Sequence, residues 1–449
     1  MLARRLRRVP AGAAMQRRPA RRTAGGTFGT DRRAPDAVLC GAARTAVSGH
    51  GVGHHLITAG ERAMSEAWTR RQWLGLSGSA LLAGLLPATA PAGAAAVPAV
   101  PATAKREGAT DAAALYRRAL VLDANTLASI GQLAGDDDSA DRIRQLRDSG
   151  VTALKTTLGG ADGDFEAAVK DIAAAQALVE HYPQHFLKVL RHDDLRRAKR
   201  EDRIALIFSF ESAAMLEDKP ERIDLFRQLG VRVMQLSYNH ASPFGSGCLD
   251  GDAGGVTALG HEAITRMNRL GVALDLSHAN AQTTREGIAL SQRPPVITHA
   301  GCSAVFAHPR NKLDRDMRAL ADKGGVMGIY MLPFLTEDSR QPQLADYLRH
   351  MRHALDVCGE DHVGIGTDSM FFPVTAQDVR EMDKQMQQRR RDGIGAPGEN
   401  RTPYLPDVNS VRKLERVADG LLRHGYGARV TEKVLGLNFD RVFGAIWAA

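Results

Sequence analysis

The most constraining feature of the sequence is one unit that recurs eight times from residue 119 onwards. Each unit begins with an apolar run rich in β-branched residues, which ends in polar residues and is followed by an amphipathic helical pattern. Strands that alternate with helices are typical of parallel β-α units, and eight such units match the number in a (β/α)8 barrel. We therefore predict an α/β fold, a (β/α)8 TIM barrel over residues 108–449.

The eight predicted strands are residues 119–125, 151–158, 204–211, 231–239, 272–278, 295–299, 326–332 and 363–368. The predicted helices between them include residues 141–149, 165–180, 221–229, 258–270 and 344–357.

Polar and ionisable side chains end five of these strands, and the chemistry of a TIM barrel lies where its strands end. In chain order they are Glu211, the pair Tyr238 and Asn239, His278, His299 and Asp368. Charged groups at the ends of buried strands are costly unless they are paired or functional.

Each of these residues also has an ordinary structural interpretation. Glu211 and Asp368 could cap the helices that follow them, and His278 and His299 could be hydrogen-bonded core histidines. Their convergence on one rim favours a metal site instead, because carboxylate oxygens and imidazole nitrogens are ligands that zinc takes.

The charge distribution argues against a nucleic-acid-binding protein. Residues 1–63 contain 12 arginines and three acidic residues, a net charge of +9, whereas the whole chain has +8. The remaining residues are therefore nearly neutral, and a nucleic-acid surface would need clustered basic residues on the folded part. The one short basic run there, residues 389–391, is interpreted as a solvated helix face.

The N-terminal residues divide into three segments. Residues 1–63 lack apolar periodicity and are predicted to be a disordered basic leader, upstream of a possible true start at Met64. Residues 64–90 match a secretory signal with the Arg70-Arg71 pair of the twin-arginine type, a 13-residue apolar stretch and Ala88-Thr89-Ala90. Residues 91–107 are predicted to be an Ala/Pro linker. The alternative for the arginine pair is a chance position ahead of a buried helix.

Several motifs in fixed order resemble the membrane dipeptidase (renal dipeptidase) family of zinc peptidases. They are Asp275-Leu276-Ser277-His278, Thr298-His299-Ala300, His308-Pro309-Arg310-Asn311, Gly364-Ile365-Gly366-Thr367-Asp368 and Gly436-Leu437-Asn438-Phe439. The resemblance covers nearly all of the chain after residue 119. It implies a metal-dependent hydrolase of the amidohydrolase type that cleaves dipeptides at two zinc ions.

The resemblance also implies roles for individual residues. Glu211 matches a glutamate that bridges the two ions, and His278 and His299 match the histidines of the second ion. Asp368 matches the acid that carries the proton of the attacking water, and Arg310 matches the arginine that binds the substrate carboxylate. Tyr238 stands where some members have a histidine that polarises the carbonyl, so it is a candidate catalytic and substrate-binding residue. Asn239 beside it is a candidate substrate-binding residue.

The first predicted strand departs from the family pattern. The family has Asp-Gly-His-Asn-Asp there, and its His-x-Asp pair holds the first ion, whereas this chain has Asp123-Ala124-Asn125-Thr126-Leu127. An amide is a poor zinc ligand and leucine is none, so we expect one zinc ion rather than two. The acidic run at residues 136–138 is the alternative source of ligands, although an acidic turn explains it as well.

Three hypotheses for the function remain open at this stage. The first is a single-zinc dipeptidase; the second is a divergent member that modifies a secreted peptide product; the third is a binding protein without catalysis. The base Asp368 argues against the third. The family also implies a possible homodimer, and at most one intrachain disulfide is possible among Cys248, Cys302 and Cys358.

The arginine pair gives a test of export to the periplasm or the medium by the twin-arginine machinery. Replacing Arg70 and Arg71 together by lysine should leave the protein in the cytoplasm, because a receptor recognises the pair rather than its charge. Cell fractionation measures the result. Deletion of residues 2–63 is the control and should change neither export nor activity; persistent export of the double variant would contradict the prediction.

Overall fold

The computed structural model describes residues 111–127, 139–161, 163–337 and 339–448. The predicted leader, signal peptide and linker, up to residue 107, and the acidic run at residues 136–138 lie outside the described residues.

The described residues form nine parallel strands, and eight of them build a barrel in sequence order. The strands are β1 Leu122–Thr126, β2 Ala153–Thr157, β3 Phe186–Lys188, β4 Ile204–Phe210, β5 Val231–Gln235, β6 Ala273–Asp275, β7 Val296–Ala300, β8 Val326–Ile329 and β9 Val363–Ile365. Each of the eight predicted runs overlaps one of the barrel strands, with β1 and β7 each ending one residue beyond the predicted run, and this agreement confirms the predicted fold class.

The strand that the sequence did not predict is β3, which pairs only with β4. Its register joins Phe186 to Ile204 and Lys188 to Leu206, at the beginning of β4, while β5 pairs with the end of β4. Three residues are too few to show a period in the sequence. β3 lies outside the closed ring and does not reach the site.

Helices follow the strands around the outside of the barrel. They are α1 Ala112–Arg118, α2 Ser139–Asp148, α3 Phe165–His181, α4 Asp193–Arg200, α5 Arg222–Gln228, α6 Ala258–Leu270, α7 Ala281–Leu290, α8 Asp314–Asp322, α9 Leu344–Cys358, α10 Ala376–Arg391, α11 Lys413–Arg423, α12 Ala428–Glu432 and α13 Asn438–Trp447. The five predicted helices agree with α2, α3, α5, α6 and α9 to within two residues at each end. None of the described helices is both long and apolar enough to cross a bilayer.

Asp123 of β1 joins the first strand of the barrel to the last. Its two carboxylate oxygens accept hydrogen bonds from the Thr367 N–H at 2.7 Å and the Thr367 hydroxyl at 2.6 Å. The backbone continues the closure, because the Asp368 N–H donates to the Asn125 carbonyl at 2.8 Å. A buried carboxylate therefore supplies the bonds at the point where regular strand pairing ends.

Helix α13 covers the end of the barrel where the strands begin. Its side chains Phe439, Val442 and Phe443 pack in one apolar cluster with the strand residues Ala153, Ala205, Val233, Ala273, Val296 and Val326. The Trp447 indole N–H also donates to the Arg232 carbonyl beside the start of β5. These contacts close that end with apolar side chains and leave chemistry to the opposite end.

Polar residues lie one layer further along several strands. Side chains two positions apart on a strand share a face, and the residues two positions after members of the apolar cluster include Lys155, Gln235, Asp275 and Thr298. All four are buried. The barrel interior is thus apolar where the strands begin and polar where they end.

The three described cysteines, Cys248, Cys302 and Cys358, are free and buried. The sequence allowed at most one disulfide among them, and the structure has none among these three cysteines.

The closure of the barrel gives a stability prediction. Asp123→Ala should lower the free energy of unfolding by about 2–4 kcal/mol, because the buried Thr367 N–H would lose its acceptor and the Thr367 hydroxyl would keep only its longer bond to the Asn125 carbonyl at 3.3 Å. Denaturant unfolding measures the loss. The matched control is Asp193→Ala, whose carboxylate is exposed and, among the described residues, forms an ion pair with Arg200 at 3.6 Å; this variant should cost under about 1 kcal/mol. Equal losses in the two variants would contradict the role given to Asp123.

Candidate metal centre

Three potential metal ligands converge at the polar end of the barrel. Glu211 follows β4, His278 follows β6 and His299 lies in β7, and their ligand atoms lie within 4.8 Å of one another. The Nε2 atoms of the two histidines are 3.0 Å apart, and His278 Nε2 is 4.0 Å from Glu211 Oε2. Within the described part of the chain this is the one group of three or more such residues that could hold a metal ion.

The protonation state of His278 follows from its neighbour Asn239. The Nδ1 atom of His278 lies 2.8 Å from the Asn239 side-chain oxygen, which can only accept a hydrogen bond. The Asn239 amide nitrogen donates to the Ile394 carbonyl at 3.0 Å, which fixes the orientation of the amide. His278 therefore carries its proton on Nδ1, and its Nε2 presents a lone pair.

A second chain of hydrogen bonds sets the protonation state of His299. The Thr298 hydroxyl donates to Asp275 Oδ2 at 2.6 Å, so its oxygen is left to accept from His299 Nδ1 at 2.9 Å. Asp275 is held in place because it also accepts from the Ser277 N–H and the Thr298 N–H. His299 consequently also presents a lone pair at Nε2.

Electrostatics agrees with two neutral imidazoles. Burial, and then the charge of Arg310, lower the pKa of both histidines well below its usual value. An Arg310 N–H lies 3.1 Å from His278 Nε2, which makes that nitrogen an acceptor.

The donor set fits a zinc ion. Two lone pairs that face each other at 3.0 Å repel unless a cation lies between them. Two nitrogens bound to one zinc ion at near-tetrahedral geometry lie about 3.3 Å apart. The two imidazoles and the Glu211 carboxylate would be its protein ligands, and each imidazole already has the outer hydrogen bond typical of a metal ligand.

Asp368 lies beside His299, with its Oδ2 atom 3.9 Å from His299 Nε2. Its Oδ1 atom accepts a hydrogen bond from the Asn125 side-chain nitrogen at 2.9 Å. Burial and the nearby charge of Glu211 raise the pKa of Asp368 to about 7. The backbone of Asp368 has a φ of 49°, an uncommon conformation for a residue with a side chain.

Arg310 and Tyr238 lie against the same histidine. Arg310 is buried and one of its guanidinium nitrogens donates to the Ser277 carbonyl. The ring of Tyr238 stacks on His278 with centroids 4.1 Å apart. All seven predicted site residues are thus brought together, although the side-chain polar atoms of Asn239 are already engaged by His278 and Ile394.

A model of the membrane dipeptidase family, peptidase family M19, matches residues 144–398, more than half of the chain. The chain belongs to the membrane dipeptidase family.

The similarity to individual family members is distant. A Klebsiella pneumoniae protein described as an uncharacterized protein in the pqqA 5′ region is 27% identical over 288 residues, which cover 62% of this chain and 95% of that protein. Dipeptidase verJ of Clonostachys rogersoniana is 28% identical over 230 residues, which cover 50% of this chain and 58% of that protein.

Solved structures agree with the barrel. An amidohydrolase from Pseudomonas aeruginosa superposes with a TM-score of 0.66 at 27% identity, over 76% of this chain and all of that one. A metallo peptidase from Rhodobacter sphaeroides, liganded with a phosphinate mimic of the dipeptide L-Ala-D-Ala, has a TM-score of 0.57 at 20% identity, over 73% of this chain and 99% of that one. The second likeness is one of fold.

Two features of this family member escaped the sequence analysis. The first is Lys155 in the middle of β2, whose Nζ atom lies 3.8 Å from Glu211 Oε1. The second is the segment from α10 to residue 400, which contacts the residues around His278: Arg389 donates to the Tyr238 hydroxyl at 3.4 Å and pairs with Glu399. The interpretation of residues 389–391 as a solvated face is therefore wrong for Arg389, because tertiary packing turns its side chain towards the site.

Strand β1 shows what replaces the family's missing metal pair. Asn125 is fully buried and donates to Asp368, while the side chain of Leu127 is 40% exposed. Neither residue offers a charged ligand.

The hydrogen bond from His299 to Thr298 can be tested without touching a ligand. Thr298→Val should weaken zinc binding by about 10- to 100-fold, because the imidazole loses the acceptor that fixes its Nδ1 proton. Competition with a chromophoric chelator gives the dissociation constant. Thr431→Val, at a buried threonine of α12 whose hydroxyl bonds the Gly427 carbonyl at 3.1 Å, is the control and should bind zinc as the parent does. An unchanged affinity in Thr298→Val would contradict the assignment.

Proposed function

We propose that this protein is a single-zinc metallodipeptidase, which hydrolyses the peptide bond of dipeptides or similar small amides. The observation that carries the proposal is the convergence of two unprotonated Nε2 atoms and the Glu211 carboxylate beside the free Oδ2 atom of Asp368. Membership of the membrane dipeptidase family supports the reaction class.

The metal site supplies the electrophile and the acidity. A bound zinc ion polarises a carbonyl and lowers the pKa of water, so that water becomes a nucleophile near neutral pH. Glu211, His278 and His299 would hold it, and the position left open among three protein ligands is typical of catalytic zinc.

Asp368 is the proton carrier of the proposed reaction. Its Oδ1 atom is engaged by Asn125, so Oδ2 is the oxygen free to take a proton from the attacking water and to pass it to the leaving amine. Burial raises the pKa of this carboxyl, which favours the step in which Asp368 holds the proton and returns it to the leaving amine.

Arg310 and Tyr238 are assigned to the substrate. The buried guanidinium of Arg310 has further N–H groups for a bidentate contact with the terminal carboxylate of a dipeptide. Because Arg389 donates to the Tyr238 oxygen, the Tyr238 hydroxyl proton remains available to an oxyanion. The substrate contact predicted for Asn239 stays a prediction beside its bond to His278.

The expectation of one ion rests on strand β1. Asn125 and Leu127 supply no charged ligand, and the Asn125 N–H groups already face Asp368. Export and a homodimer remain expectations of the sequence.

The proposal predicts separable effects of ligand and proton carrier. The purified protein should contain about one zinc per chain, and His278→Ala or His299→Ala should lose nearly all of it, because two ligands make a weak site. Asp368→Asn should retain the metal but lose hydrolysis of a dipeptide panel, because only the proton carrier is removed. Elemental analysis and single-turnover assays measure the two quantities.

The same measurements distinguish the alternatives. One zinc without turnover of any dipeptide would favour a divergent enzyme that acts on another secreted peptide product. A chain that binds no metal would favour a binding protein. Full hydrolysis by Asp368→Asn would rule out the role of Asp368.

A further inference from the structure

We propose that the Lys155 ammonium is a built-in second cation of the metal centre: it forms an ion pair with the Oε1 oxygen of Glu211 and closes the position beside that oxygen to a second metal ion. The proposal rests on the zinc site of the proposed function. It makes Lys155 a positioning residue for the ligand Glu211.

Lys155 lies inside the barrel among the polar residues. It is fully buried in β2, and its Nζ atom donates to the Ser209 hydroxyl at 3.1 Å. The Ser209 hydroxyl in turn donates to the Thr156 carbonyl at 2.8 Å, so its oxygen is free to accept. A buried ammonium needs a counter-charge, and the described ion pair that provides one is with Glu211.

The Glu211 carboxylate has two differently occupied oxygens. Its Oε1 atom accepts a hydrogen bond from the Thr157 hydroxyl at 2.7 Å and lies 3.8 Å from Lys155 Nζ. Its Oε2 atom faces His278 Nε2 at 4.0 Å. One oxygen is therefore turned to protein hydrogen-bond donors and the other to the proposed zinc ion.

Protein groups already engage the outer oxygens of both carboxylates of the site. The Thr157 hydroxyl donates to Glu211 Oε1, and the Asn125 amide donates to Asp368 Oδ1. The ammonium of Lys155 lies 3.8 Å from Glu211 Oε1, so a cationic charge already stands where a second metal ion beside that oxygen would lie.

The charge balance favours one metal ion for the same reason. Glu211 forms an ion pair with the ammonium of Lys155, and the charges of Arg310 and Lys155 act on Asp368, together with one divalent ion in the proposed site. A second divalent ion beside Glu211 Oε1 would lie next to the ammonium in a buried environment, where like charges repel strongly. Lys155 thus supplies, in place of a second metal ion, the positive charge that polarises and orients Glu211.

Removing the ammonium should open the second position. Without the ammonium, the place of the Lys155 Nζ atom is left beside Glu211 Oε1 and the Ser209 hydroxyl oxygen. On the neighbouring strand β1 the Asn125 side-chain oxygen is buried with no hydrogen-bond partner among the described residues and is a further candidate ligand. Such an all-oxygen set suits Mn²⁺.

The test counts metal ions and does not depend on substrate. The parent protein, Lys155→Ala, Lys155→Gln and Lys188→Ala are saturated with Zn²⁺, and Mn²⁺ is then added up to millimolar concentration. After buffer exchange at the same concentration of free Mn²⁺, elemental analysis gives the number of zinc and manganese ions bound per chain. The paramagnetic resonance signal of free Mn²⁺ gives the dissociation constant for Mn²⁺. Lys188 is a half-buried lysine of β3 whose Nζ bonds the Leu229 carbonyl away from the site.

The expected result is one ion per chain in the parent and in Lys188→Ala, and two in Lys155→Ala and Lys155→Gln. The glutamine variant keeps a side chain of similar length that can bond Ser209, and circular dichroism shows that each variant is folded. Two ions in the parent, or one ion in both folded Lys155 variants, would overturn the proposal. A parent that binds no zinc would refute the proposed metal site itself, whereas zinc without dipeptide turnover would refute only the proposed reaction.

Discussion

The arrangement of this protein depends on the mutual compensation of charges that are buried inside the barrel. Asp123, Glu211 and Asp368 are carboxylates in or beside strands β1, β4 and β9, and Lys155 and Arg310 are fully or almost fully buried cations. Each would be costly alone, because removing a charge from water without a partner opposes folding. The same charged side chains therefore hold the strands in position and form the site at the rim.

The layering of the interior explains how the fold tolerates so many polar groups. Small and branched apolar residues of six strands pack against helix α13 and supply the core, while the next layer holds hydrogen-bonded polar groups. Within that layer the bonds run in defined directions, from Thr298 to Asp275 and from Lys155 to Ser209. Such chains keep the Nε2 atoms of both imidazoles unprotonated and directed into the site, which is how a rigid barrel can present a pre-oriented metal site.

Much of the barrel and of the candidate site can be read in the sequence, and the limits have physical causes. Parallel strands carry their ends to one rim, so Glu211, His278, His299 and Asp368 could be grouped by position alone. The role of Lys155 could not be predicted in this way, because the residue lies in the middle of a strand. There the sequence pattern shows on which face a side chain lies but not which residues it contacts. Arg389 lies on a helix beyond the last strand, and only tertiary packing brings it to Tyr238.

Helix α13 has a consequence for how the chain acquires its structure during synthesis. The apolar ends of the strands are covered only when residues 438–447 pack beneath them, so every shorter nascent chain exposes that surface. We therefore expect the barrel to be completed after this helix is translated rather than strand by strand on the ribosome. A chain released before residue 438 is translated would expose the apolar ends of its strands. Such a chain would be a substrate for chaperones and proteases.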